Sequence, residues 1–590
     1  MGVAAPKDPE KKRMGFYIMR NKDIFGSPAQ SGGGVQFLYQ SDGRIVNSAR
    51  LVGGIEDDDM LSMLVKTEDF KKLVYSIGVT VEMEKPEAVD FVFQMYGKTD
   101  PYVSGTSIRK TVVADGMENI VKLSDVEWSA DDDIIGQIRF EMKEAGRFAK
   151  VSVRLYLNDG YSAPEMPEEN DIDFGSAEYK RMLEASLVNL GDTKRLEKAL
   201  CKARAGQDVT IAFIGGSITQ GAGAIPINTE CYAYKTYKAF CGMFGDGDNI
   251  HYIKAGVGGT PSELGMIRYE RDVLRNFTVQ PDIVVVEFAV NDAGDETNGV
   301  CYESLVRKIL MSENEPAVVL LFSVFSDDYN LEERLRPVGF NYKLPMVSVK
   351  ECVVPQFYDA ARRIITKNQY FYDCFHPTNA GHKVMADCLG TLFEKVDIKA
   401  QKALETAGGD LKEALKAIGD TAFDNESIAP HYGNSFEKVE LFDRQNLPTM
   451  DIVWNFDMGG FNRIDDELQC VEMDMDIETT PEFPYNWKHD RSGRPMEFDI
   501  KCRSLIMINK DSASADAGKA EVFVDGEKVL TADPRKNGWT HCNPLICFSD
   551  REQALCHVEV RMAEGDENKD FTILGLSLIH ISEPTRLQLI

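Results

Sequence analysis

The sequence predicts an α/β protein whose centre is a three-layer, doubly wound parallel sheet, flanked by two β-sandwich-like regions. Three observations lead there. Between about Ser176 and Val396, runs that are apolar on both faces alternate with helical patterns, as buried parallel strands covered by helices require. Before that stretch, short runs with period-two alternation are separated by Asp, Gly and Pro turns. After it, a second group of such runs appears.

From about Gln36 to Tyr161 the strand candidates include Y-S-I-G-V-T-V-E-M, D-F-V-F-Q-M-Y and A-K-V-S-V-R-L-Y-L, a spacing that suggests a β-sandwich. A polar link, S-A-P-E-M-P-E-E-N-D, closes an N-terminal domain expected over 1–175. Two segments, Y-K-R-M-L-E-A-S-L-V-N-L and K-R-L-E-K-A-L-C-K-A, then read as helices. The buried-strand candidates are Val209–Ile214, His251–Lys254, Asp282–Val290 and Ala317–Phe325. A helix expected from Asn379 to about Val396 closes this catalytic-domain candidate, 176–400.

A second helical stretch, Gln401 to about Ile418, makes 401–436 a linker. Strands from about Glu437 to Leu574 then define a domain over 437–575, with V-D-G-E as a hairpin turn. Strand pairing between the two β regions, across the central sheet, is the alternative. The last fifteen residues, 576–590, follow an expected final strand F-T-I-L-G and resemble a translated sequencing adaptor, so they are set aside as a non-native tail.

The totals bound the function. A length of 590 residues exceeds one core. The formal net charge of −29, without a basic cluster to offset it, argues against nucleic acid and anionic membranes as partners. No apolar run approaches 18 residues, so no membrane helix is expected. The polar start shows no secretory signal, and the twelve cysteines lack C-x-x-C pairs or metal spacing. A cytoplasmic protein with reduced thiols is expected, although a secreted chain stripped of its signal reads the same.

One strand candidate ends in G-G-S, presenting Ser217 where ligands of such folds bind. The motif is neither the G-x-S-x-G elbow, since Thr219 stands at its last glycine, nor a Walker loop. A serine nucleophile needs a base and an orienter. His376 lies in Y-D-C-F-H-P-T-N-A-G-H, three residues after Asp373, so one loop delivers both; read alone, the segment is a surface loop. His382 reads as a structural residue on the helix surface. Oxyanion donors are offered by A-G-V-G-G-T (Ala255–Thr260) and by Asn291, read singly as a glycine turn and a helix cap.

Taken in order, G-G-S-I-T, A-G-V-G-G-T, F-A-V-N-D and D-C-F-H-P resemble the four blocks of the SGNH (GDSL) hydrolase family over roughly Val209 to Val396. The resemblance implies the flavodoxin-like fold of that family, Ser217 as nucleophile, His376 as general base and acid, and Asp373 as its partner. It implies an oxyanion hole of the Ser217 and Gly259 N–H groups and the Asn291 amide, with Gly258 the alternative if the glycine block shifts by one. No metal or cofactor is implied. Two positions depart from the pattern: Gly216 replaces the Asp of G-D-S-L, and Ala289 the glycine of G-x-N-D.

The expected activity is removal of O-acetyl groups from plant-type polysaccharides or oligosaccharides, acetylated xylan or mannan, through an acyl-enzyme. A general short-chain carboxylesterase or lipase is the alternative, and a carbohydrate-binding protein with a vestigial hydrolase domain the alternative of another class. The flanking β regions resemble accessory or carbohydrate-binding modules. Trp454, Trp487 and Trp539 are candidates for stacking on sugar rings, with a place in the sandwich core as the favoured reading. Oligomeric state is not legible.

Overall fold

The computed structural model describes residues 13–30, 32–39, 44–245, 247–361, 363–425, 427–471 and 480–579. At its centre is a six-stranded sheet made of β1 (Leu187–Asn189), β2 (Val209–Gly215), β3 (Ile250–Gly256), β4 (Ile283–Glu287), β5 (Ala317–Phe322) and β6 (Met346–Ser348), in the spatial order β1-β6-β5-β4-β2-β3. All neighbours pair in parallel except β1, which runs antiparallel to β6. Successive residues of β2 enter different cores. Ile211 and Phe213 pack with Leu200, Phe240 and Leu389 from the helices Lys194–Arg204, Tyr232–Phe244 and Asn379–Thr406. Ala212 and Ile214 pack with Leu264 and Leu305 from the helices Ser262–Asp272 and Val300–Leu310. This two-sided burial is the reason the strand runs lack polar alternation.

The chain passes from β2 to β3 on one side and then to β4 on the other side of β2. The carboxyl ends of β2, β3 and β4 therefore surround a switch point, where two connections diverge and leave a crevice.

Several boundaries differ from those expected. The segment read as one helix from Tyr179 to Leu190 splits into a helix, Ala177–Glu184, and β1, because Leu187 and Asn189 find partners on the edge of β6. The run Asp282–Val290 stops being a strand at Glu287, and the Asn291 N–H turns back to the Phe288 carbonyl at 2.9 Å. The closing helix runs unbroken to Thr406, and the break before Leu411–Ile418 sits at Gly408 and Gly409, both with positive φ.

N-terminal to the central sheet, two sheets of four and five strands contribute to one core, with Ile77 and Val79 from one sheet packing among Phe91 and Phe93 of the other. This region begins earlier than expected, with a strand at Gly15–Phe25, and contains three short helices before Val74. The C-terminal strands form two five-stranded sheets over another core, plus a two-stranded ribbon. Here M-E-F-D-I-K-C-R-S-L-I-M-I is two strands, Met496–Cys502 and Ser504–Asp511, in different sheets. Asp525 and Gly526 both take positive φ in the V-D-G-E hairpin, the conformation of a type I′ turn. Among the described residues, no strand of the N-terminal sheets pairs with a C-terminal one.

The final strand corrects the boundary drawn at residue 576. It spans Thr572–Ile579, pairs with Ser504–Asn509 and buries Leu576 and Leu578. Leu576–Ile579 are thus part of the core, because L-S-L-I continues a strand that is buried on both faces. The rest of the set-aside tail, 580–590, lies outside the described residues.

Candidate active site

Ser217 begins a four-residue helix directly after β2, with Gly216 as the hinge between them. Its hydroxyl lies 3.0 Å from Nε2 of His376. Nδ1 of His376 lies 3.0 Å from each carboxylate oxygen of Asp373. Asp373 also accepts the backbone N–H groups of Phe375 (2.8 Å) and His376 (2.9 Å). Burial pushes this carboxyl upward, but the bonds from the His376 ring and from the two backbone groups outweigh it and hold the pKa at about 2. An ionised Asp373 keeps the proton on Nδ1 and leaves Nε2 facing the serine.

The loop carrying both residues is tied at each end. Phe371 and Pro377 form a β-bridge, and the Tyr372 N–H donates to the His376 carbonyl at 2.8 Å. Thr378 caps the following helix by accepting the Gly381 N–H. From the N-terminal sheets Lys22, only 3% exposed, donates to the carbonyls of Asn368 (2.7 Å) and Phe371. Burial lowers its pKa to about 8 against the pull of Glu169 and Asp373.

On the other side of the serine, a Cβ at Gly258 would stand 3.8 Å from the Ser217 Cβ, and Gly259 takes φ +72°. Asn291 occupies the N-cap position of a short 3₁₀ turn, yet its side chain makes no capping bond and its carbonyl oxygen is buried without a partner. The helix-cap reading of Asn291 therefore fails at the side chain. The structure thus gathers Ser217, Asp373, His376, the Gly258–Gly259 turn and Asn291 around the switch point.

The departure at Gly216 has a steric cause. A Cβ there would come within 2.2 Å of the Asn291 Oδ1, so the side chain of a G-D-S-L aspartate has no room.

Other residues near the site escaped the sequence reading. Glu287, at the end of β4, is buried and accepts hydrogen bonds from Ser323 and from Thr219 (3.1 Å). Burial raises its pKa to about 7, with those two bonds and the nearby His376 opposing. Its run of apolar neighbours made it read as one more strand position. His382 is fully buried instead of lying on the helix surface. Its Nδ1 accepts the Tyr232 N–H and its Nε2 faces the Ala222 carbonyl, and burial lowers its pKa to about 3.

The C-terminal region also reaches the site, through two loop residues and the first residue of the strand His541–Phe548. Gln469 donates to the Gly258 carbonyl at 2.6 Å, Nε2 of His541 lies 3.1 Å from the Gly259 carbonyl, and Trp539 borders Gly259. Of the three tryptophans, Trp487 is in the core, whereas Trp454 (45% exposed) and Trp539 (44%) are not. A cleft of about 530 Å³ lies beside Phe375 and Cys374, with Arg50 and Leu51 of the N-terminal region in its wall. Among the described residues no cluster of three or more His, Cys, Asp or Glu is placed to hold a metal ion, and no helix is long and apolar enough to cross a membrane.

Residues 213–384 match the GDSL-like Lipase/Acylhydrolase family. This span contains all four sequence blocks, so this part of the chain is a GDSL-type hydrolase domain and the protein is a carboxylic ester hydrolase. The chain is similar to the crystal structure of "a two-domain esterase (CEX) active on acetylated mannans co-crystallized with mannopentaose", at 27% identity and a TM-score of 0.53, over 67% of this chain and 98% of that one. A second structure of such an esterase, without the mannopentaose in its description, gives 26% identity and a TM-score of 0.53 over 68% and 99%. The sequence matches no curated protein.

Proposed function

We propose that this protein is a serine esterase that removes O-acetyl groups from acetylated plant-type polysaccharides or their oligosaccharides, with mannan favoured over xylan. The carrying observation is the relay Ser217–His376–Asp373, with both links at 3.0 Å. The similarity to esterases active on acetylated mannans supports the substrate class. The exposed ring of Trp539 beside Gly259 offers an apolar face for a sugar ring at the rim of the site.

In this reading His376 takes the Ser217 proton as the oxygen attacks the acetyl carbonyl. The Ser217 N–H, the Gly259 N–H and the Asn291 amide stabilise the tetrahedral oxyanion, each contributing about 3 kcal/mol when well aimed. The intermediate collapses with transfer of the proton from His376 to the departing sugar hydroxyl, which leaves acetyl-Ser217. Water, deprotonated by the same imidazole, then releases acetate and restores the serine. Asp373 stabilises the imidazolium formed in each half. The central domain is read as the three-layer fold of the family, and the flanking sheets as accessory parts of the substrate site.

The test is acetate release from acetylated mannan and acetylated xylan oligosaccharides, with a short-chain and a long-chain nitrophenyl ester alongside. Wild type is expected to release acetate from mannan fastest, and Ser217→Ala to lose about 10⁴-fold or more. Turnover of nitrophenyl esters alone would remove the glycan assignment, and faster release of long acyl chains would favour a lipase.

A further inference from the structure

From the contacts between the C-terminal sheets and the turn at Gly258–Gly259, we infer that Gln469 is a positioning residue for catalysis: it aims the Gly259 N–H at the developing oxyanion. The inference rests on the assignment of that N–H as an oxyanion donor.

The Gly258 carbonyl and the Gly259 N–H belong to one peptide unit, which is trans. In a trans peptide the C=O and N–H bonds point in opposite directions, so a group that fixes the carbonyl also fixes the hydrogen. Nε2 of Gln469 fixes that carbonyl at 2.6 Å. The orientation of the Gln469 amide is itself determined, because its Oε1 accepts the Cys542 N–H at 2.9 Å. Reversing the amide would set oxygen against oxygen and N–H against N–H.

The next carbonyl, Gly259, is met by Nε2 of His541, whose Nδ1 lies 3.1 Å from buried Asp511. The same region is also tied to the short helix that begins at Ser217, since Gln220, three residues after Ser217, donates to the Cys470 carbonyl at 3.0 Å. A glycine at φ +72° lacks the Cβ that would otherwise restrict the turn. Its peptide therefore needs outside partners to keep one orientation. Those partners come from a region more than two hundred residues away, so the C-terminal sheets complete the catalytic centre as well as bordering it.

The test compares wild type, Gln469→Glu, Gln469→Met and Asn291→Ala on nitrophenyl acetate, a substrate that needs no glycan contact. Affinity for a boronic acid that forms a tetrahedral adduct with the serine is measured in parallel. Gln469→Glu retains the acceptor for Cys542 but places an oxygen without hydrogen against the Gly258 carbonyl. Its kcat is expected to fall about 10- to 100-fold with KM within about twofold, and boronate affinity to weaken by the same factor. Gln469→Met, uncharged and of similar length, is expected to lose kcat and boronate affinity in the same way and decides the matter if the glutamate variant does not fold. Unchanged kcat, a loss confined to KM, or a lower kcat with unaltered boronate affinity would overturn the inference. Asn291→Ala separates two kinds of failure. If it lowers kcat while both Gln469 variants do not, the oxyanion assignment stands and the role of Gln469 falls. If neither residue matters, the oxyanion assignment falls and takes the role of Gln469 with it.

Discussion

At Gly216 a single hydrogen in place of a side chain lets Asn291 pack against the turn that carries Ser217. Restoring the aspartate of the family pattern, Gly216→Asp, would drive a Cβ to 2.2 Å from the Asn291 amide. The expected result is a loss of about 1–3 kcal/mol of stability and at least a tenfold fall in kcat, because the displaced amide is an oxyanion donor in this account. Thermal unfolding and steady-state kinetics on nitrophenyl acetate check both, and wild-type kcat in this variant would contradict the packing argument. The candidate site residues could be gathered from the sequence because the chemistry read there requires rare types: eight histidines limit the search, and two of them, His251 and His376, follow an aspartate by three residues. The reason for Gly216 was not, since it depends on a contact with a residue seventy-five positions further on.

At the scale of the elements, Glu287 links the end of β4 to the short helix that begins at Ser217 through Thr219 and to the chain after β5 through Ser323. Burial raises its pKa from the ordinary 4.5 to about 7. The folded state thus holds this proton more tightly than the unfolded chain. The contribution is complete below about pH 4.5 and is lost as pH rises through about 7, amounting to about 3 kcal/mol. Glu287→Gln keeps a neutral side chain at every pH. Between about pH 5 and pH 8 the wild-type Tm is expected to fall relative to that of the variant, and parallel curves would contradict the buried titration.

The elements themselves were read with uneven success, for physical reasons. Buried strands announce themselves by apolar runs, and all four proposed in the central domain are present with shifted ends. Short strands such as β1 and β6 carry too few residues for any period to register. The first N-terminal strand, Gly15–Phe25, mixes charges into its sequence because its burial alternates irregularly across bulges.

At the scale of the whole molecule, the site draws on three parts of the chain. Lys22 braces the Asp373–His376 loop, and Gln469, His541 and Trp539 meet the Gly258–Gly259 turn. Trp539 stood among the ring-stacking candidates of the sequence, but none of these contacts was legible, because periodicity reports only whether a residue is buried and not what it is buried against. If Trp539 meets the sugar, Trp539→Ala raises KM for acetylated mannan oligosaccharides about fivefold, the loss of roughly 1 kcal/mol of ring contact. KM for nitrophenyl acetate is expected to stay within about twofold, so comparing the two substrates reads glycan contact directly. Equal effects on both would remove the tryptophan from substrate binding.

The central claim is that Ser217 carries the acetyl group between the sugar and water. Its most direct test is to quench wild type during turnover of an activated acetyl ester and locate the acetyl group by peptide mass spectrometry. The account predicts acetylation of Ser217 alone, with neither adduct nor turnover in Ser217→Ala. An acetyl group on another residue, or sustained turnover without Ser217, would contradict it.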